Sequence, residues 1–231
     1  MSAGFEYISE NYKRICADIE EAKAHYRKPD DKIEIMAVTK TVSPDAGNHA
    51  VSCGIRLLGE NRVQEYESKK EFYSPEAEVH FIGHLQTNKV KYIIGEMKLI
   101  HSVDSIKLAA EIDKQAAKKG IKQQVLAEVN IGGEESKSGI SPEMLPDLLY
   151  EMSQLRNIKV KGLMTIPPPI SNEKFLCRMQ KLFLDISAEN MDNIDMDILS
   201  MGMSGDYAAA VKYGSNLVRI GTALFGARNY K

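Results

Sequence analysis

Net charge is nearly absent from this chain: 30 Lys and Arg stand against 32 Asp and Glu, leaving −2. That gives no basic footprint for nucleic acid or for an anionic membrane surface. No apolar run is long enough to span a bilayer. The opening residues Met1-Ser2-Ala3-Gly4-Phe5-Glu6 hold no basic region followed by an apolar core, so no signal peptide is expected. Cysteine is scarce. Cys16, Cys53 and Cys177 are odd in number and far apart, which argues against a disulfide framework or a zinc site and fits a reducing cytoplasm. Each is expected to be a small core residue. There is no H-E-x-x-H and no clustered His/Cys/carboxylate set, so no metal is expected. No G-x-G-x-x-G follows the first strand, which speaks against a dinucleotide-binding open sheet. Gly202-Met203-Ser204-Gly205 lacks the spacing of a nucleophile elbow, which speaks against an esterase.

What is present is an ordinary globular balance over 231 residues, with 43% apolar and 27% charged. No Pro/Gly/Ser-rich linker divides the chain, so residues 1–231 are read as a single domain. A helix is expected over residues 4–28, where Phe5, Ile8, Tyr12, Ile15, Ile19 and Ala22 recur at helical spacing. Ile33 to Lys40 reads as a buried strand, stopped by Ser43-Pro44-Asp45, where serine caps and proline opens a helix. The alternation then repeats. Strands are expected at 54–59, 79–83, 99–103, 124–131, 160–166, 198–201 and 217–220. The helices between them cover 62–72, 87–94, a run ending near Gly120, 142–155, 172–190 and 206–213. About eight strands joined through helices is the period of a (β/α)8 TIM barrel, with the extra N-terminal helix closing one end. Several strands are apolar on both faces, as buried parallel strands are.

In such a barrel the functional groups gather at the C-terminal ends of the strands. There the sequence puts Lys40, Glu60-Asn61, Gly83-His84, Ser102 with Asp104, Asn130, Thr165, Met201 to Asp206, and Arg219 with Gly221 and Thr222. Lys40 has two readings. It is a strand-end lysine whose ammonium reaches solvent, or an amine with a lowered pKa that forms a Schiff base. The glycine-rich turn 201–206 and the segment Gly221-Thr222-Ala223 could aim backbone amides at one anion, where barrels commonly hold phosphate. Ordinary capping and turn glycines would leave the same trace. An aldehyde for the lysine and a phosphate for the loops suit pyridoxal 5'-phosphate. Arg219, facing a pyridine nitrogen, would keep the ring unprotonated and a weak electron sink. The alternative for Arg219 is a structural ion pair. His84 could stack near the ring; His80 reads as structural; His49 and His101 have no evident partner.

Six segments then carry a resemblance across nearly the whole chain. They are Ala37 to Lys40, Gly59 to Glu65, His80 to Lys89, Gly162 to Ile166, Leu199 to Ser204 and Val218 to Gly226. With these the chain resembles the pyridoxal phosphate homeostasis proteins of fold type III. The resemblance implies a single barrel like the N-terminal domain of alanine racemase, and a Schiff base on Lys40. It implies phosphate held by Ser204, Gly221 and Thr222, and Arg219 at the pyridine nitrogen, with Asn61, His84 and Met201 nearby. It also implies binding and distribution of the cofactor with no established reaction, so no catalytic residues are assigned. PLP-dependent apo-enzymes are candidate recipients, and neither nucleic acid nor membrane is expected as a partner.

An amino-acid racemase is the alternative. Racemisation needs an acid and a base on opposite faces of the substrate. In racemases of this fold type the second group comes from an appended β domain of a partner subunit. This sequence stops at Lys231, soon after Gly226. A carrier is therefore favoured over an enzyme, and a monomer over a dimer.

Overall fold

The computed structural model describes residues 4–169, 172–189 and 191–227. Its elements follow the chain as α1 (Glu6–Tyr26), β1 (Glu34–Val38), α2 (Pro44–Ser52), β2 (Leu57–Glu60) and α3 (Val63–Lys69). Then come β3 (Glu78–Phe81), α4 (Val90–Ile93), β4 (Leu99–Val103), α5 (Ile106–Lys119), β5 (Gln123–Val129) and α6 (Leu145–Ser153). The series ends with β6 (Ile158–Thr165), α7 (Asn172–Ser187), β7 (Ile194–Ser200), α8 (Tyr207–Lys212), β8 (Leu217–Ile220) and α9 (Thr222–Phe225). The strands close into a barrel in chain order, β1 to β8. β1 lies parallel to β8, with Met36 opposite Arg219, and parallel to β2, with Val38 opposite Gly59. The expected (β/α)8 architecture is therefore the one found. Local signals act as read: Ser43 Oγ accepts from the Ala46 N–H at 3.3 Å with Pro44 at the first turn.

Contacts group the described residues into two compact units, one running up to Val79 and resuming at Met201, the other spanning His80–Ser200. In the first unit, Ala37, Leu58, Val218 and Ile220 pack with Ile8, Ile15 and Ile19 of α1 and with Ala46, Ala50 and Val51 of α2. The first helix was expected to close one end of the barrel. It packs instead against α8, α9 and α2 and the outward side chains of these strands. Its isoleucine stripe needs an apolar partner, and the helix-facing sides of β1 and β8 supply one.

In the second unit, Leu99, Leu126 and Met164 form a buried cluster with Ile198 against it. His101 and Ser200 stand two residues further along the same faces of β4 and β7. There His80 Nδ1 lies 3.0 Å from His101 Nε2, and His101 Nδ1 lies 3.1 Å from Ser200 Oγ. The structural reading of His80 is thereby met, and His101 gains the partners its sequence context did not reveal.

Burial pushes the His80 imidazole down to about 4, and the Lys98 charge acts in the same direction. The folded protein keeps this ring neutral while the unfolded chain, near pKa 6.5, takes up a proton. Stability from this group is complete above pH ~6.5 and is lost as pH falls toward about 4, by at most on the order of 3 kcal/mol. Chemical denaturation at pH 7 and pH 5 should show this loss in the wild type and a shallower one in His80→Gln. Identical pH slopes in the two proteins would rule His80 out as its source.

Three further expectations are corrected. β7 begins at Ile194 rather than Ile198. Its acidic residues hid it, but Asp195 is neutralised by Lys159 at 2.7 Å and Lys161 at 2.8 Å from the neighbouring strand. A short helix, α9, follows β8, where the sequence reading placed none. None of the cysteines is a core residue: Cys16 and Cys53 are half-buried and Cys177 is exposed, all as free thiols.

Candidate functional site

Strand alternation orients the polar residues of the first unit. Ala37, Leu58, Val218 and Ile220 face the helices, so Met36 and Val38 of β1 face the other way, and Lys40 follows two residues on, in the turn past the strand's end. Gly59 and Asn61 do the same along β2, and Arg219 does so on β8. The Thr39 N–H donates to the Gly59 carbonyl at 3.0 Å, which carries the ladder to the threshold of Lys40. Lys40 itself is half-buried, not enclosed. Arg219 is 3% exposed. The Asn61 Oδ1 is buried with no hydrogen-bond partner among the described residues. A buried acceptor without a donor is costly, and a ligand hydroxyl or N–H would relieve that cost.

The two glycine-bearing segments do meet. The Gly221 N–H donates to Ser204 Oγ at 3.2 Å, and the Ala223 N–H donates to the same oxygen at 3.0 Å. Two backbone donors thus converge on one oxygen, which is the arrangement an anionic oxygen requires. Asp206 is the N-cap residue of α8 and accepts from the Met203 N–H at 2.5 Å, while the Ser204 hydroxyl, two residues before it, bridges to the other segment. Met201 is fully buried, and its carbonyl accepts from Ser215 Oγ at 2.7 Å. Gly202 follows at φ +92°, and a Cβ there would lie 2.5 Å from Ala210 Cβ. Its carbonyl accepts from the Arg219 N–H at 2.9 Å. Only glycine lets this turn lie so close to α8 while tying itself to β8. Thr222 is exposed at the start of α9.

Lys40, Asn61, Met201, Ser204, Arg219, Gly221 and Thr222 therefore all belong to the first unit. His84 belongs to the second, where it is exposed and its Nδ1 lies 3.4 Å from Ser138 Oγ. Other strand-end groups have local duties. Thr165 Oγ1 donates to the Val129 carbonyl at 2.7 Å, and Asn130 Nδ2 donates to the Glu134 carbonyl at 2.8 Å. Glu60 neighbours Asn61 in sequence but takes the opposite face and is fully buried. Its Oε1 accepts from Thr39 Oγ1 at 2.7 Å and from the Tyr73 hydroxyl. Sequence reasoning missed Lys69, whose buried ammonium joins this group 3.6 Å from Glu60. The available signal was a lysine four residues after Glu65 on a short helix.

The family "Alanine racemase, N-terminal domain" matches residues 11–229. A pyridoxal phosphate homeostasis protein of Aquifex aeolicus is 42% identical over 226 residues, covering 96% of this chain and 98% of that protein. The chain belongs to the pyridoxal phosphate homeostasis protein family. Another member, from Pseudomonas aeruginosa, is 39% identical and covers 96% of each chain. Among solved structures, PipY of Synechococcus elongatus, determined with PLP bound, superposes with a TM-score of 0.81 at 28% identity. That match covers 95% of this chain and all of PipY. The alanine racemase of Bartonella henselae shares the fold at a TM-score of 0.73 and 15% identity, over 96% of this chain and 59% of that one. Among the described residues no helix is long and apolar enough to cross a membrane, and no group of His, Cys, Asp and Glu is arranged to hold a metal ion.

Proposed function

We propose that this protein binds pyridoxal 5'-phosphate, holds it as a Schiff base on Lys40, and serves cellular homeostasis of that cofactor as a carrier rather than a catalyst. The observation that carries the reading is the convergence of the Gly221 and Ala223 amides on Ser204 Oγ, in the same compact unit as Lys40. The residues present fit the cofactor. The unpartnered Asn61 Oδ1 awaits a donor, the Arg219 guanidinium is withdrawn from solvent, and the Gly221 and Ala223 amides already converge on one oxygen, that of Ser204. The names of the relatives and the ligand of PipY support the same ligand class.

When bound, the cofactor supplies an aldehyde reactive toward amines and an electron-withdrawing ring. The protein's own groups do the rest. Lys40 would offer the amine; Ser204, Gly221 and Thr222 would take the phosphate; Asn61 and Met201 would lie beside the ring. Arg219 would donate to the pyridine nitrogen and, always charged itself, would keep a proton off it. An arginine there disfavours carbanion chemistry, which suits storage and release. The three free thiols fit a cytoplasmic location. PLP-dependent apo-enzymes are the proposed recipients, and the protein is proposed to act as a monomer.

Borohydride reduction of the protein with added PLP, followed by peptide mass mapping, tests the assignment. The adduct is expected on Lys40 alone at stoichiometric cofactor. An adduct spread over surface lysines, or steady racemisation of alanine by the purified protein, would overturn it.

A further inference from the structure

Lys40 lies between two peptide groups that α3 holds from outside the strand layer. Lys69 Nζ donates to the Thr39 carbonyl at 2.9 Å. Glu65 Oε1 accepts from the Thr41 N–H at 2.5 Å. The same Glu65 oxygen and Lys69 Nζ pair with each other at 2.5 Å, one helical turn apart. A single ion pair thus grips the chain on both sides of Lys40.

Two further observations show that the grip has something to hold. Thr41 sits at φ +59°, a left-handed conformation that a β-branched residue rarely adopts. Such a conformation persists only where surrounding bonds over-determine it. Behind it, Glu60 is buried with its Oε1 taken by Thr39 Oγ1, by the Tyr73 hydroxyl and by Lys69. Burial, with the adjacent Glu60 charge, pushes the Tyr73 phenol far up, so it remains a donor. Lys69 Nζ therefore donates to two fixed oxygens and lies 3.6 Å from the Glu60 carboxylate, so its ammonium cannot swing away without breaking its pair with Glu65 and leaving the buried Glu60 charge without its cation.

We infer that Lys69 and Glu65 are positioning residues for Lys40. They fix the backbone turn from which its side chain leaves β1, so the amine is presented toward the inner face without a direct contact from either residue. The side chain has four rotatable bonds, and aiming it from a fixed root leaves less freedom to lose when the amine becomes bonded. This rests on the proposed role of Lys40 and adds to it the device that aims the amine.

The test uses the full chain with and without PLP. Without PLP, amide hydrogen exchange of wild-type Thr41 should be strongly protected, although the residue lies beyond the end of β1; rapid exchange there overturns the clamp. Glu65→Ala should speed that exchange and weaken PLP binding, each roughly tenfold, the scale of one lost hydrogen bond to a charged group. It should also move the pH midpoint of the bound-cofactor absorbance. Glu65→Gln keeps the accepting oxygen and should restore all three. A merely structural tie would lower the melting temperature without moving the pH midpoint. Wild-type affinity and an unshifted midpoint in both Glu65→Ala and Lys69→Met would refute the clamp while leaving Lys40 labelling intact. Failure of wild-type Lys40 to take the borohydride label would instead refute the cofactor assignment, with the exchange measurement still reporting on the clamp.

Discussion

Lys40→Ala is expected to abolish visible colour with PLP and to lower affinity by at least roughly a hundredfold, about 2.7 kcal/mol. Residual binding should remain, because the amides of Gly221 and Ala223 and the Arg219 guanidinium are untouched by the change. Folding should survive it. Lys40 is half-buried and leaves no stranded charge when removed, so the unfolding free energy should move by less than about 1 kcal/mol. The two effects separate cleanly when spectral titration and thermal unfolding are run on the same preparation. A variant that stays yellow, or that still yields a reduced adduct at a single site, would mean another amine carries the cofactor.

Gly162→Ala is expected to be severely damaging. Gly162 adopts φ +141°, and a Cβ there would lie 1.9 Å from the Ile198 carbonyl oxygen and 2.8 Å from its carbon. Both obstacles are backbone, so no rotamer change can yield. The cause is register. β5 and β6 slip between Val125 and Ala127, and β6 and β7 slip between Val160 and Gly162. The glycine is where β6 absorbs the irregularity on both of its edges. We expect a loss above about 4 kcal/mol, or roughly 8–16 °C in Tm for a chain of this size. Gly205→Ala is the control, because a Cβ at Gly205 meets nothing within 4 Å; it should change stability by less than about 0.5 kcal/mol. Equal melting temperatures for the two variants would show that β6 can realign without its glycine.

Much of this architecture was legible because it rests on local signals. Apolar β-branched runs named most strands, and the Ser43-Pro44 pair marked the start of α2. Where local signals mislead, the readings failed for identifiable reasons. The Ile194 end of β7 alternates with acidic residues that only lysines of β6 make tolerable. α1 is amphipathic on any reading, but which apolar surface it covers is a question of topology. Cysteine was assigned to the core by its general habit, and no local feature opposed that.

The candidate site divides in the same way. Lys40, Asn61 and Arg219 could be placed at strand ends by counting, since alternation along a strand has a period of two. The convergence of two segments on Ser204 Oγ could not, because its partners lie 17 and 19 residues away and meet only once α8 and β8 are packed. The clamp of Lys69 and Glu65 is further from view still. Glu65 and Lys69 stand one helical turn apart in sequence, and only when α3 is laid against the end of β1 do their charges find the peptides on either side of Lys40.

The sequence by itself determined the order of strands and helices, the residue types available at the strand ends and the family to which the chain belongs. Those follow from hydrophobic period, turn chemistry and six short motifs, all of which act over a few residues. Tertiary structure alone decided which backbone donors share an oxygen, which carboxylate lies buried behind Lys40 and how Thr41 is held at positive φ. These depend on groups brought within hydrogen-bond reach by closure of the sheet, and hydrogen bonds are sensitive to tenths of an ångström that no one-dimensional pattern encodes.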